Sequence, residues 1–342
     1  MYRIYILIGF LLPSILFGQA TQKPLIEASN GMVVTTHPAA SQIGLDILRK
    51  GGNAIDAAVA VNFALAVCHP AAGNIGGGGF LVYRTAKGKA YTLDYREMAP
   101  LAASRDMYLD SSGQVIPGKS FVGIHSVGVP GAVAGMEAMH KRLGKLAWEE
   151  LVQPAIDLAR NGVVLTGKEA RGLNRNRADF MKYNPGRAYM VKADSTQWAE
   201  GELFIQSDLA NTLERILKFK SKGFYQGETA DLFVKEMERQ GGIISHRDLK
   251  SYKAIWRKPL ISQYKQYSII GMPPPSSGGV AIGQLFSMIK PYPLARWGVQ
   301  SDSTIQVMIE AERRVYADRA KWLGDPDFVK APLKELLDSN YL

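Results

Sequence analysis

The 342 residues of the chain are 46% hydrophobic and 21% charged, an ordinary composition for a globular protein of one large domain or two average ones. The formal net charge of +10 comes from scattered basic residues without interleaved aromatic residues, which favours a solvated surface over nucleic-acid binding. The single cysteine, Cys68, excludes an intrachain disulfide and a cysteine-based metal site. The five histidines do not have the spacing of metal ligands; they are His37, His69, His125, His140 and His246. We therefore expect neither a metal nor a cofactor.

Residues 1–20 have the pattern of a secretory signal peptide. Arg3 gives a positive start, residues 4–17 are almost wholly apolar, and Gly18 and Ala20 are small residues at positions that a signal peptidase prefers. The apolar stretch is shorter than the roughly 20 residues that cross a bilayer. We expect cleavage near Ala20, export to the periplasm or the medium, and no stable membrane association, with an uncleaved anchor as the alternative.

The first part of the mature chain predicts helices followed by a hairpin. In order, the predicted elements are a strand over 31–36, helices over 39–50 and 54–67, and hairpin strands over 80–85 and 90–95. Asn53 is the predicted N-cap of the second helix. That helix is apolar on nearly every side, which predicts that it is buried.

Helices dominate the rest of the chain. They are predicted over 131–143, 148–160, 207–219, 228–240 and 303–323, with another ending near 289, a strand over 267–271, and loops with short helices over 170–206. Helices alternate with strands and hairpins, which favours one layered α/β unit over two domains. A further helix is predicted to open at Ala331-Pro332, shortly before the last residue, so we expect the chain to be incomplete.

The glycines Gly76–Gly79 resemble a phosphate-binding loop only superficially. A P-loop needs a lysine and a hydroxyl residue after its last glycine, and here Phe80 and Leu81 follow. A dinucleotide-binding loop runs from strand to helix, whereas here the order is reversed. A flexible linker would be more polar than this segment. We therefore expect a close-packed turn inside the core that binds no phosphate.

Arg96 follows a predicted strand in the stretch D-Y-R-E-M-A-P, residues 94–100. Its planar guanidinium suits a carboxylate bound through two hydrogen bonds. The alternative is a structural ion pair with Asp94 or Glu97, and the residues alone favour that pair.

Candidate nucleophiles are few. The chain has no G-x-S-x-G motif, and Cys68, at the end of a buried helix beside His69, is interpreted as a core residue. Cleavage before a threonine of Thr35-Thr36-His37 could free an amine to act as the base of that threonine. However, the segment continues as a predicted strand, and no processing site is evident.

Six motifs resemble those of γ-glutamyltransferases in the same order and at similar spacing. They are G-M-V-V-T-T-H-P-A-A-S (31–41), G-G-N-A-I-D-A-A-V-A (51–60), G-N-I-G-G-G-G-F (73–80), D-Y-R-E-M-A-P (94–100), G-V-P-G (128–131) and P-P-P-S-S-G-G (273–279). The resemblance extends from about residue 24 to the end and is specific because it rests on all six.

The resemblance implies an α/β (α+β) fold, the four-layer αββα sandwich of N-terminal-nucleophile hydrolases, incomplete in this chain. Residues 21–342 would be the large-subunit domain of a precursor that cuts itself, and its partner would be a small subunit from the same precursor. The threonine nucleophile is expected beyond Leu342, so no catalytic residue is assigned in this chain. The resemblance implies that the enzyme cleaves the γ-glutamyl amide of glutathione and transfers the γ-glutamyl group to water or to an amino acid or peptide.

By the same resemblance, Arg96 binds the α-carboxylate of the glutamyl group. Thr35-Thr36-His37 matches a different segment of the family, near the start of the large subunit, and is not expected to be catalytic. Residues 273–279 are expected to form a rigid loop. Two alternatives remain: a related acylase that cleaves a non-glutamyl amide, and an inactive truncated remnant.

Overall fold

The computed structural model describes residues 26–184, 190–194 and 196–342, so the predicted signal peptide at residues 1–20 lies outside the described residues. Residues 33–342 cluster as one unit. Residues 26–32 belong to a separate unit and contain no helix or strand. Within the described ranges, no helix combines the length and the apolar character needed to cross a bilayer.

Helices make up most of the regular structure of the described residues. They are α1 (Pro38–Arg49), α2 (Ala54–Cys68), α3 (Ala132–Leu143), α4 (Trp148–Asn161), α5 (Gly167–Arg175), α6 (Arg177–Tyr183), α7 (Ser207–Phe219), α8 (Lys222–Tyr225), α9 (Glu228–Arg239), α10 (His246–Ser251), α11 (Gly278–Ile289), α12 (Leu294–Trp297), α13 (Asp302–Trp322) and α14 (Leu333–Leu336). Each predicted helix is confirmed to within a few residues, although the one expected after Ala331-Pro332 is a single turn.

The described strands form one three-stranded sheet and two two-stranded sheets, of which the one nearer the C-terminus is a hairpin. They are β1 (Phe80–Arg84), β2 (Ala90–Asp94), β3 (Val163–Val164), β4 (Leu203–Phe204), β5 (Ile255–Arg257), β6 (Leu260–Tyr264) and β7 (Tyr267–Gly271). The sheet has the order β1-β2-β5 and is antiparallel, and β3–β4 and β6–β7 form antiparallel pairs. The predicted hairpin and the predicted strand over 267–271 are confirmed.

Local hydrogen bonds fix where the first two helices begin. His37 Nδ1 accepts a hydrogen bond from the Ala39 N–H at 3.1 Å at the start of α1. At the start of α2, Asn53 Oδ1 accepts from the N–H groups of Ile55 and Asp56, and the Asp56 carboxylate accepts from the Asn53 N–H. This reciprocal capping box confirms Asn53 as the N-cap of α2.

The core forms where α2 meets α4, α7 and the sheet. Phe63 of α2 is fully buried and packs edge-on against Trp148 of α4, with ring centroids 5.6 Å apart. The Trp148 indole N–H donates to the Ile216 carbonyl of α7 at 3.1 Å. Leu93 of β2 belongs to the same buried cluster. The burial of α2 predicted from its apolar sequence is therefore confirmed.

One predicted strand is wrong, and several short elements escaped prediction. Residues 31–36 form no strand, and Val34 is 82% exposed. A Val-Val-Thr-Thr sequence becomes a strand only where a partner strand pairs with it, and no described strand does so. The elements α8, α10 and β5 span three to six residues, which is too short to display a helical or strand period. The strand β6 was also missed.

Candidate functional site

Arg96 lies where β2 leaves the sheet. Tyr95 and Gly79 still exchange two backbone hydrogen bonds, of 3.0 and 3.2 Å, which continue the pairing of β1 with β2. Tyr95 is buried, whereas Arg96 is exposed. The chain therefore presents the arginine at the rim of the sheet, as the position after a strand predicts.

Hydrogen bonds hold the backbone of Arg96 on both sides. Asp94 Oδ1 accepts from the Arg96 N–H at 3.1 Å, and the Tyr252 hydroxyl donates to the Arg96 carbonyl at 2.8 Å. The ring of Tyr252 stacks on Tyr225, 5.8 Å away and nearly parallel, and the Tyr225 hydroxyl donates to the Pro130 carbonyl at 2.8 Å. Burial raises the pKa of both tyrosines above the usual range, so both hydroxyls remain donors at any physiological pH.

The segment after Arg96 is also anchored. Met98 and Val129 exchange backbone hydrogen bonds of 2.8 and 3.1 Å, and Asp248 Oδ1 accepts from the Leu101 N–H at 2.6 Å. Burial raises the pKa of Asp248, but hydrogen bonds from Leu101 and Ser245 outweigh it and hold the pKa below the usual range. The Arg96 segment is thus tied to α10 and to the chain just before α3.

The guanidinium of Arg96 has no carboxylate partner among the described residues. It lies over the ring of Phe80, with Cζ 6.0 Å from the ring centroid. Asp94 instead accepts from Arg257 Nε at 2.8 Å. The ion pair between Arg96 and Asp94 or Glu97, which the residues alone favoured, is therefore wrong, because a more distant arginine holds Asp94.

The tetraglycine turn packs directly against the Arg96 segment. The Gly77 carbonyl accepts from the N–H groups of Gly131 and Ala132 at 2.8 and 2.9 Å, so it occupies donors at the start of α3. A Cβ on Gly78 would lie 2.5 Å from the Tyr95 carbonyl oxygen. The predicted close packing is confirmed. Placement inside the core is wrong, because Gly76 and Gly78 are exposed.

Two exposed glycines of this turn should respond differently to substitution. In Gly78→Ala the new Cβ would lie 2.5 to 2.9 Å from backbone atoms of residues 95–97, whereas in Gly76→Ala the nearest atom is 3.8 Å away. We expect Gly78→Ala to lower the free energy of unfolding by roughly 1–3 kcal/mol, the usual cost of overpacking. Gly76→Ala should change it by less than about 0.5 kcal/mol. Urea denaturation measures both, and equal effects would contradict the close-approach argument.

Two cavities share lining residues in this region, and only the smaller is lined by the turn. The smaller, about 290 Å³, is lined by Gly77, Gly78 and Glu97, so it adjoins the Arg96 segment. The larger, about 770 Å³, lies between the start of α1 and the segment around α5 and α6. Thr36 and His69 line both cavities.

The Thr35-Thr36-His37 segment is engaged in local structure. The Thr35 hydroxyl donates to the His37 carbonyl at 2.8 Å and lies 2.9 Å from the Ser41 hydroxyl. His37 Nε2 lies 3.3 Å from Glu169 Oε1, and because its Nδ1 accepts the helix-capping bond, Nε2 carries the proton. These contacts organise the start of α1. That none of these residues is catalytic stays a prediction.

Cys68 is a core residue, as predicted. It is 3% exposed, belongs to the main buried cluster, and forms no hydrogen bond with His69 within the described part of the chain. Burial raises the pKa of its thiol to about 11. Among the described residues, no group of three or more His, Cys, Asp or Glu side chains is placed to hold a metal ion.

The raised pKa predicts a protected thiol. At about pH 8 only on the order of a thousandth of the thiol would be thiolate, the form that reacts with disulfide reagents. We expect Cys68 to react with a chromogenic aromatic disulfide stoichiometrically in denaturant and at least about tenfold more slowly in the native protein. Labelling of the native protein at the rate of the unfolded chain would contradict its burial.

The loop of residues 273–279 connects β7 to α11. The Gly279 N–H donates to the Met272 carbonyl at 3.2 Å, and a Cβ on Gly271 would lie 2.6 Å from Gly279 Cα. Pro273 and Pro274 are buried. The loop lines neither of the two cavities near the tetraglycine turn. Its role as a rigid shaping element stays a prediction.

Comparisons with known proteins agree with the fold and with the motifs. A family model described as "Gamma-glutamyltranspeptidase" matches residues 40–342. A glutathione hydrolase proenzyme of Pseudomonas sp. (strain A14) is 47% identical over 324 residues, which are 94% of this chain and 56% of that protein. An acylase ACY 1 proenzyme of Pseudomonas sp. (strain V22) is 38% identical over 328 residues, 94% of this chain and 58% of that protein.

Solved structures give the same result. The Helicobacter pylori γ-glutamyltranspeptidase structure superposes with a TM-score of 0.90 at 46% identity, and the match covers 93% of this chain and 91% of that one. The fold expected from the resemblance, that of an N-terminal-nucleophile hydrolase, is therefore confirmed. The chain spans about half the length of the curated relatives it matches. With its motifs, its fold and a family model covering nearly all of the described residues in agreement, this chain belongs to the γ-glutamyltranspeptidase family.

Proposed function

We propose that this chain is the large-subunit part of an exported γ-glutamyltransferase that cleaves the γ-glutamyl amide of glutathione and related compounds. The observation that carries the proposal is the state of Arg96. Hydrogen bonds hold its backbone, its side chain is exposed, and its guanidinium has no carboxylate partner among the described residues. Two parallel N–H···O bonds from this group would orient the α-carboxylate of a glutamyl substrate. The glutathione hydrolase names of relatives support this choice of substrate.

The chemistry proposed for the complete enzyme needs a nucleophile outside this chain. A threonine hydroxyl would attack the γ-carbonyl while its own α-amine accepts the proton, because the pKa of an N-terminal amine is ordinarily about 7.7–8.0. The amide C–N bond breaks, the leaving cysteinylglycine amine takes up a proton, and a γ-glutamyl ester remains. Water or an acceptor amine then attacks the ester and releases the threonine. Arg96 takes part in no bond change and acts by positioning the donor.

The proposed partner is a small subunit that derives from the same precursor. Relatives are named proenzymes, and this chain matches about half of their length. Apolar side chains around the Arg96 segment are also exposed in this chain: Met98 is 42%, Leu101 62% and Val127 44% exposed. A partner surface would remove such side chains from water. Residues 1–20 support export of the precursor, with removal of the signal.

A non-glutamyl acylase is the second candidate, because relatives named acylase ACY 1 share 37–38% of their aligned residues with this chain. An acyl group without an α-carboxylate offers no acceptor for the two parallel hydrogen bonds of the Arg96 guanidinium. An inactive remnant is the third candidate. It predicts that the precursor gives no turnover of any amide.

The test is the hydrolysis of matched anilides by the complete protein, meaning this chain together with the rest of its precursor. γ-Glutamyl p-nitroanilide carries both the α-carboxylate and the α-amine, the 4-aminobutanoyl anilide lacks the carboxylate, and the glutaryl anilide lacks the amine. We expect turnover of the first at least about a hundredfold above the second, since losing a charged hydrogen-bonded contact that substrate binding removes from water costs several kcal/mol. Equal turnover of the first two would favour the acylase. No turnover of any would favour the remnant.

A further inference from the structure

Asp94 and Arg96 carry opposite charges two residues apart, but their side chains do not form an ion pair. Asp94 is the last residue of β2, and Arg96 follows it just beyond the strand. In this chain the Asp94 carboxylate binds the Arg96 backbone N–H through Oδ1, and the Arg96 side chain remains over Phe80.

Arg257 is the side chain that takes the second oxygen of Asp94. It comes from β5, which pairs with β2 so that Arg257 lies opposite Thr92. Its Nε donates to Asp94 Oδ2 at 2.8 Å, and the side chains of Arg257 and Asp94 are 11% and 9% exposed. This pair is therefore largely removed from water, where charged hydrogen bonds are strong.

The other edge of Arg257 is held by Asp327, from the segment after α13. Two guanidinium nitrogens donate to the two Asp327 oxygens at 3.2 and 2.9 Å. Burial lowers the pKa of Arg257, but the hydrogen bonds to Asp327 and Asp94 outweigh it, so the guanidinium stays charged. Asp327 thereby fixes the orientation in which Nε faces Asp94.

We propose that Arg257 is a positioning residue that occupies the Asp94 carboxylate and so keeps the Arg96 guanidinium available for the α-carboxylate of the substrate. The proposal rests on the function proposed above for Arg96. In this proposal Asp94 accepts a hydrogen bond from the Arg96 backbone N–H, while its pairing with Arg257 keeps it from pairing with the Arg96 guanidinium. Arg257 itself contacts no substrate.

The proposal predicts self-inhibition when Arg257 is removed. Asp94 is 7% exposed and would lose its cationic partner, while Arg96 follows it two residues later along the chain. The new internal pair would compete with the substrate carboxylate. KM for γ-glutamyl p-nitroanilide should rise about tenfold or more, whereas kcat, measured once the substrate has displaced Asp94, should change less than about threefold.

The decisive comparison uses Arg257→Met with and without Asp94→Asn, in the complete protein. Methionine keeps much of the apolar stem of Arg257 but leaves Asp94 unpaired. In the double variant the competing charge is gone, while the Asn oxygen can still accept from the Arg96 N–H. We expect KM of the double variant to return to within about threefold of the wild-type value. A double variant with a KM as high as the single variant would overturn the proposal.

Two further measurements separate this role from simple damage to the fold. The 4-aminobutanoyl anilide has no α-carboxylate, so Arg257→Met should leave kcat/KM for it unchanged within about threefold, whereas misfolding would lower both activities. If Arg257→Met does not fold, Arg257→Lys decides: lysine keeps a cation for Asp94 although it cannot reproduce both bonds to Asp327, so KM for the γ-glutamyl donor should rise less than about tenfold, and a larger rise would contradict us. If the wild-type protein does not turn over γ-glutamyl donors, the proposed function fails. If it does, but Arg257→Met has a normal KM, only the role of Arg257 fails.

Discussion

Replacing Arg96 with alanine should lower kcat/KM for γ-glutamyl p-nitroanilide by roughly 30- to 5,000-fold. Losing one partner of a desolvated, hydrogen-bonded charge pair costs about 2–5 kcal/mol, and each 1.4 kcal/mol is a factor of about ten. The loss should be large because the described residues supply no carboxylate partner for Arg96, so binding the substrate breaks no internal ion pair. Steady-state kinetics of the complete protein measure the effect, and most of it should appear in KM.

Two controls test whether the effect comes from the guanidinium fork. Arg84→Ala removes an exposed arginine from the opposite end of the same hairpin, where Arg84 lies opposite Ala90, and should leave kcat/KM within about twofold. Arg96→Lys keeps the charge but cannot bind a carboxylate through two parallel hydrogen bonds, so its activity should be intermediate. Unchanged kinetics in Arg96→Ala would remove this residue from the site.

Replacing Asp56 with alanine should have the largest effect on stability. Asp56 is fully buried, and its carboxylate accepts hydrogen bonds from the backbone N–H groups of Asn53, Lys145 and Leu146 at 2.8, 2.9 and 3.4 Å. It thus joins the start of α2 to the connection between α3 and α4. Alanine would leave these part-buried donors without an acceptor, at up to about 1–3 kcal/mol each.

We expect Asp56→Ala to lower the free energy of unfolding by roughly 3–5 kcal/mol, measured by urea denaturation as a lower midpoint at an unchanged slope. Asp46→Ala is the matched control, because the Asp46 carboxylate is exposed on α1 and, among the described residues, accepts only from Gln42 and Arg49. That change should cost less than about 0.5 kcal/mol. Similar losses in the two variants would show that the hydrogen bonds of Asp56 contribute little.

Most of the local structure could be predicted because its signals are local. The caps and apolar periods of α1 and α2, and the apolar strands on either side of Lys87-Gly88, lie within a few residues of the elements they specify. The all-apolar sequence of α2 also predicted its burial. Motif order alone indicated the family, and with it the fold and the choice of Arg96.

What Arg96 contacts was decided by the tertiary structure. Sequence adjacency favoured a pair with Asp94 or Glu97, but Asp94 pairs with Arg257, 163 residues away, and Tyr252 reaches the Arg96 carbonyl from 156 residues away. The same limit explains why 31–36 was wrongly predicted as a strand and why β5 was missed. Pairing between distant segments depends on which chains the fold brings together, and a short window of sequence carries no information about that.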